Sequence, residues 1–213
     1  ETPAYGPHIN KEYYSKNDYK AAIENFIKIE DRTDSIGQLA NYYLAGSYDK
    51  MKNRVAAMDA FKYAALSEYN PDIARNAYFN WAKLAFDINK DTSVFKEYMK
   101  RYPDIEKDDQ IHDYMAKMSL ADLDYAAAIQ SYGEVEKMDD TMTRNYMKAN
   151  YLRGEQLVRS GAYSDAIRYL DSARLLSGKM KFTSLNQMSR FWIAESYYRT
   201  GSYKKARELY TDL

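Results

Sequence analysis

Gly161-Ala162-Tyr163-Ser164-Asp165-Ala166 decides the reading of this chain, because close copies of it recur. Gly201-Ser202-Tyr203-Lys204-Lys205-Ala206, Leu123-Asp124-Tyr125-Ala126-Ala127-Ala128 and Asn17-Asp18-Tyr19-Lys20-Ala21-Ala22 share its frame, with Tyr three residues before Ala. Four residues after that Ala stands a large side chain: Phe26, Tyr132, Leu170 or Tyr210. Ala57 with Phe61 and Val94 with Tyr98 are weaker copies. The six anchors fall at 22, 57, 94, 128, 166 and 206, with spacings of 35, 37, 34, 38 and 40. Such a period marks a stacked helix-turn-helix architecture, in which each pair buries its apolar face against its neighbours.

Working outward from the anchors, a second pattern lies about a dozen residues upstream of them. It pairs a large residue with a small one: Leu44-Ala45, Trp81-Ala82, Met115-Ala116, Arg153-Gly154 and Ile193-Ala194. A small residue there lets neighbouring helices approach closely. The two patterns predict paired helices at about 8–15 and 19–30, 37–51 and 54–68, 73–88 and 92–101, 109–122 and 125–137, 143–159 and 163–176, and 185–199 and 203–213. Asn17, Asn89, Gly161 and Gly201 stand where the backbone must leave the helix, and they tolerate the left-handed region. Lys52-Asn53 and Leu123-Asp124 fit that place less well. Asn70-Pro71 and Tyr102-Pro103 break helices between pairs, and the longest inter-pair loop is expected at 177–184.

Together these residues resemble the tetratricopeptide-repeat (TPR) family over the whole chain. The resemblance implies an all-α, right-handed α-solenoid of about six helix-turn-helix units, forming one domain over residues 1–213. No polar capping helix follows the sixth pair, so the chain is expected to be a fragment of a longer one, open at the C-terminal end. A homodimer through the open C-terminal edge is a further expectation. Segments such as Phe95–Pro103 and Tyr197–Tyr203, and the Tyr-, Lys- and Asn-rich composition, resemble bacterial envelope TPR proteins. They imply an extracytoplasmic or envelope-associated location.

Composition narrows the function classes. Among 213 residues, 31 basic side chains balance 31 acidic ones. Neutrality speaks against binding through phosphate neutralisation, so no nucleic-acid partner is expected. The absence of cysteine removes disulfides, thiolate nucleophiles and cysteine-ligated metals. Gly and Pro number only 8 and 4, too few turn-formers for a many-stranded β fold. No run approaches the ~20 apolar residues of a membrane span.

Candidate chemistry is sparse. His8 and His112 lie in different repeats and read as surface residues. Glu106, Asp108, Asp109, Asp113, Asp139 and Asp140 lack the spacing of a calcium loop and read as helix-start carboxylates. No catalytic residue, metal or cofactor is expected.

Within the TPR resemblance, the fifth position of each first helix faces a concave groove. That position holds Tyr42, Phe79, Asp113, Tyr151 and Phe191. Lys83, Phe86, Lys117, Glu155 and Tyr198 occupy further groove positions. The resemblance implies a non-catalytic scaffold that grips a partner peptide or helix with aromatic anchors amid mixed charges. The Lys/Asn/Arg set with which some TPR modules clamp acidic chaperone tails is missing from the corresponding positions. Alternatives are a glycan- or nutrient-binding surface protein using exposed aromatics, and the targeting module of a longer enzyme or signalling chain.

Overall fold

The computed structural model describes residues 12–104 and 106–211. Every regular element among them is helical. The chain divides into two compact units, Glu1–Ile105 and Glu106–Leu213.

Unit 1 contains α1 (residues 12–15 of the described chain), α2 (Tyr19–Phe26, continued by a 3-10 turn at Ile27–Ile29), α3 (Ser35–Lys50), α4 (Arg54–Leu66), α5 (Pro71–Asn89) and α6 (Ser93–Arg101). Unit 2 contains α7 (Asp109–Ala121), α8 (Tyr125–Gly133), α9 (Asp140–Arg159), α10 (Tyr163–Lys179), α11 (Thr183–Arg199) and α12 (Tyr203–Thr211). Within each unit, consecutive helices pack as antiparallel hairpins. The all-α helical-hairpin class expected from the repeat therefore holds.

The repeat residues form the seams of these hairpins. Ala22, Ala57, Ala128, Ala166 and Ala206 are buried, as are their partners Phe26, Phe61, Tyr132 and Leu170. Ala45, Ala82, Ala116 and Ala194 are buried on the first helices. Gly154 holds the same place on α9, where a Cβ would lie 2.5 Å from the Leu170 Cγ. The large residue of one helix therefore fills the space left by the small residue of the other.

Six turns share one hydrogen-bonding device. The N–H groups of Asp18, Asn53, Asp124, Ala162, Phe182 and Ser202 donate to carbonyls five residues back, at 2.8–3.0 Å. The residue before each donor has positive φ: Asn17, Lys52, Leu123, Gly161, Lys181 and Gly201. This is the Schellman closure, which satisfies end-of-helix carbonyls. Asp18, Asn53 and Asp124 then cap the next helix, accepting from the N–H groups of Ala21, Ala56 and Ala127.

Several local expectations are corrected. The left-handed residue after α5 is Lys90, whose N–H donates to the Phe86 carbonyl, and Asn89 remains helical. No long loop occupies 177–184. Ser177 is buried within α10, and Met180–Phe182 form a tight turn, so the wider repeat spacing is taken up by longer helices. α8 stops at Gly133 rather than near 137.

One buried side chain ties unit 1 across three elements. Gln38 is fully buried on α3. Its Nε2 donates to the carbonyls of Ala64, Ser67 and Asn70 at 3.1, 2.7 and 3.2 Å, and its Oε1 accepts from the Asn70 N–H at 2.7 Å. The Asn70 side chain in turn caps α5 through the N–H groups of Asp72 and Ile73, with Pro71 at a first-turn position that needs no N–H.

Candidate functional site

In unit 1 the three aromatic groove candidates are occupied by structure. Tyr42 is half-buried, with ring centroids of Tyr43 and Phe61 at 5.7 and 6.0 Å, and burial raises the pKa of its hydroxyl. Phe79 is half-buried against Phe95 and Tyr98, at 6.0 and 5.5 Å. The Lys83 ammonium lies 5.0 Å from the Phe79 ring centroid. Phe86 is buried, and Lys90 turns back from its left-handed position to place its ammonium 5.2 Å from that ring. Lysines thus cover two of the three rings through cation–π contact.

Unit 2 begins with a different arrangement. Asp113 is buried on α7 and pairs with Lys117 at 2.6 Å while accepting from the Tyr132 hydroxyl at 3.3 Å. Asp113 is therefore a core ion-pair residue, not a helix-start carboxylate. Burial, and then the Asp113 charge, push the Tyr132 hydroxyl well above the usual phenol range. Lys117 also lies 4.5 Å from the Tyr114 ring centroid, so this candidate is engaged within the fold.

Three of the other acidic candidates cap or tie backbone. Asp108 accepts from Ile111 N–H and Asp139 from Met142 N–H. Asp109 accepts from the N–H groups of Glu136 and Lys137. No group of three or more His, Asp or Glu side chains among the described residues is placed to hold a metal. His112 is half-buried rather than on the surface, and its Nδ1 is enclosed without a hydrogen-bond partner. His8 lies outside the described residues.

Moving to α9 and α11, Tyr151 is only 7% exposed and belongs to the core. Its enclosed hydroxyl neighbours the Trp192 indole without a hydrogen bond of good geometry, and burial raises its pKa. Glu155 pairs with Arg159 at 2.9 Å. One repeat later Glu195 pairs with the Arg199 Nε at 2.7 Å and accepts from the Tyr210 hydroxyl at 2.8 Å. Arg199, then Tyr210, hold the Glu195 carboxyl below its usual pKa against the effect of burial. Burial and the bond to Glu195 push the Tyr210 hydroxyl up to about 12.

Beyond this network lies an open aromatic surface. Phe191 is 42% exposed and Tyr198 52%. Phe191 meets Trp192 and Tyr210 edge-on at 5.2 and 6.1 Å, and Tyr198 meets Tyr203 at 5.4 Å. A shallow cavity of about 430 Å³ is lined by Gln187, Met188, Phe191 and Trp192. A second, of about 390 Å³, is lined by Tyr198, Tyr203, Ala206, Arg207, Tyr210 and Thr211. The groove candidates therefore divide between the units. Tyr42, Phe79, Lys83 and Phe86 belong to unit 1, and Lys117, Tyr151, Glu155, Phe191 and Tyr198 to unit 2.

Sequence reasoning passed over Trp192, Tyr203, Arg207 and Tyr210 as surface groups. Tyr210 fills the position four after the anchor, which is buried in the other repeats and so reads as core.

Among the described residues no helix is long and apolar enough to cross a membrane. No protein-family model and no curated protein matches the chain. Solved structures similar to it include two of a putative kinesin light chain from Podosopora anserina with nearly identical TPR-like repeats, one of them carrying a single substitution. The substituted form is 13% identical, covering 97% of this chain and 90% of that one, with a TM-score of 0.33. The other is also 13% identical, covering 96% and 90%, with a TM-score of 0.35. At these scores the fold assignment rests on the chain's own helices and seams.

Proposed function

We propose that this chain is a non-catalytic scaffold that holds a segment of a partner protein on the aromatic surface of α11 and α12. The observation that carries the reading is the exposure of Met188, Phe191 and Tyr198 beside two shallow cavities. These rings and the thioether offer large contact area at low entropic cost, as binding hot spots do. Around them, the Glu155–Arg159 and Glu195–Arg199 pairs supply a polar border whose charges are already satisfied. Such a surface favours apolar side chains flanked by peptide backbone over a small polar metabolite.

Tyr42, Phe79, Phe86 and Tyr151 are assigned a structural role, and Phe191 and Tyr198 the binding role. Selection of displayed random peptides against the native chain tests this. Peptides with apolar or aromatic anchors are expected, with binding weakened about 30-fold or more by Phe191→Ala, the loss of a central hot spot. Enrichment that survives Phe191→Ala and Tyr198→Ala together places peptide binding elsewhere, and no enrichment at all rejects the surface as a peptide site.

A further inference from the structure

A cavity of about 340 Å³ lies in unit 1 between the turn that follows α2, the middle of α3 and the face of α4. Glu30, Asp31 and Asp59 line it, and no basic side chain does. None of these three carboxylates forms an ion pair among the described residues. Arg32, next to Asp31, pairs with Asp34 instead, and the Lys62 ammonium lies 5.7 Å from the Trp81 ring centroid. Burial, and then the Asp31 charge, push the Glu30 carboxyl above its usual pKa. Like charges left uncompensated around one cavity cost the free fold and favour a bound cation.

Asn41 is a second, independent sign of a ligand. It is 5% exposed on α3 and lines the same cavity. Its Nδ2 donates to the carbonyls of Glu30 and Gly37 at 2.8 and 3.0 Å. Those carbonyls fix the orientation of the amide, and its Oδ1 accepts no hydrogen bond among the described residues. A buried acceptor left open at a cavity calls for a donor. Stacking of repeats does not impose this arrangement. At the corresponding positions 37 residues later, Tyr78 stands for Asn41, Lys96 for Asp59 and Lys100 for Tyr63. There Tyr78 is buried and packs on Trp81 and Tyr102.

Asp59 and Tyr63 also border a second cavity, of about 780 Å³, which Leu66, Tyr69 and Glu68 continue. The Tyr63 and Tyr69 hydroxyls donate to the carbonyls of Arg32 and Thr33, which holds both rings against the α2–α3 turn. Glu30, Asp31 and Asp59 are not placed to hold a metal ion together, so an extended organic cation suits them better than a compact one. We infer that the two cavities bind a linear polyamine, one ammonium lying among the three carboxylates and donating to Asn41 Oδ1. Its methylene chain runs along Tyr63, Leu66 and Tyr69, where ring faces attract the cation and Leu66 shelters the carbons. This site is separate from the α11–α12 surface proposed for a partner segment.

Isothermal titration calorimetry of spermidine into the whole chain, at about 0.1 M salt, tests the assignment. Binding is expected, with a rise in the thermal midpoint and a shift of the Asn41 side-chain amide in nuclear magnetic resonance spectra. Glu30→Gln with Asp59→Asn should weaken binding at least about tenfold, while the free variant melts at the same temperature or higher because like charges are gone. A chain that binds no spermidine overturns the inference. So does binding indifferent to the double variant, or displaced equally by magnesium at matched charge. The tripeptide glycyl-lysyl-glycine distinguishes a protein lysine from a free polyamine. It should bind at least about tenfold more weakly for want of a second ammonium, and equal affinity overturns the polyamine assignment. Phe191→Ala with Tyr198→Ala leaves spermidine binding unchanged on this account, so failure here and failure of the peptide reading are separate results.

Discussion

Units 1 and 2 place aromatic residues at equivalent repeat positions and use them differently. In unit 1, Tyr42 and Phe79 lie against neighbouring rings, Lys83 covers Phe79 and Lys90 covers the buried Phe86. In unit 2, Tyr151 is also drawn into the core, yet Phe191 and Tyr198 stand open beside two cavities. The difference comes from what surrounds each ring. A lysine four residues away in the same helix folds over Phe79, whereas at the matching distance from Phe191 stands Glu195, which turns to Arg199 and Tyr210 instead. Repeat position gives a ring its direction, but the i+4 neighbour alone does not decide its exposure: Glu155 stands four after Tyr151 and pairs with Arg159, yet Tyr151 is buried against the next hairpin.

The largest expected effects probe the closed side of this comparison. Phe86→Ala should cost about 3–5 kcal/mol of unfolding free energy, as truncation of a buried Phe does. Denaturant titration of Phe191→Ala beside it should show a change of no more than about 1 kcal/mol, as for a surface substitution. Equal losses in the two variants would erase the distinction between the units.

Gln38→Leu comes next, at about 2–3 kcal/mol, because it leaves the Asn70 N–H and carbonyls near the end of α4 without their partner in a dry site. Hydrogen exchange should quicken at the α4–α5 junction of that variant. Unchanged exchange there would show that the clasp is redundant.

A smaller effect distinguishes unit 2 by pH. The fold raises the Tyr132 pKa, so it favours the neutral phenol. The corresponding stability is present in full below the unfolded value of about 10 and is lost as pH rises toward the folded one. Tyr132→Phe should flatten the alkaline loss of stability, read by thermal melts from about pH 8 to about pH 12, a range that brackets that unfolded value. An unchanged alkaline limb would assign it to other tyrosines. Smallest is Lys83→Ala, which should cost about 0.5–1 kcal/mol through loss of the contact over Phe79, while Glu195→Ala leaves Phe191 as exposed as before.

Much of the fold was legible because the seams demand particular residues. Ala128 and Ala166 announce themselves at a fixed distance from Tyr, since nothing larger fits where two helices touch. Gly161 and Gly201 mark their turns for a different reason, since each closes its helix with a φ of 80° that favours glycine. Lys52 and Leu123 did not, because Schellman closure imposes the left-handed conformation whether or not the side chain suits it. The Gln38 clasp was invisible since its acceptors are backbone carbonyls 26–32 residues away, which any sequence supplies. The site was legible only as direction: the TPR resemblance put Tyr151 and Phe191 at the groove position, but did not say which of them a neighbouring helix would cover. The ion pair of Asp113 with Lys117 is similar, for its burial depends on Tyr132 from the next helix.

Hydroxyl-radical footprinting of the free chain, and of the chain bound to a peptide from the selection, tests the central claim most directly. Met188, Phe191 and Tyr198 should oxidise readily in the free chain and become protected on binding, while Tyr42, Phe79 and Tyr151 oxidise slowly in both states. Protection at Tyr42 and Phe79, with Phe191 unchanged, would move the binding surface to unit 1 and contradict the account.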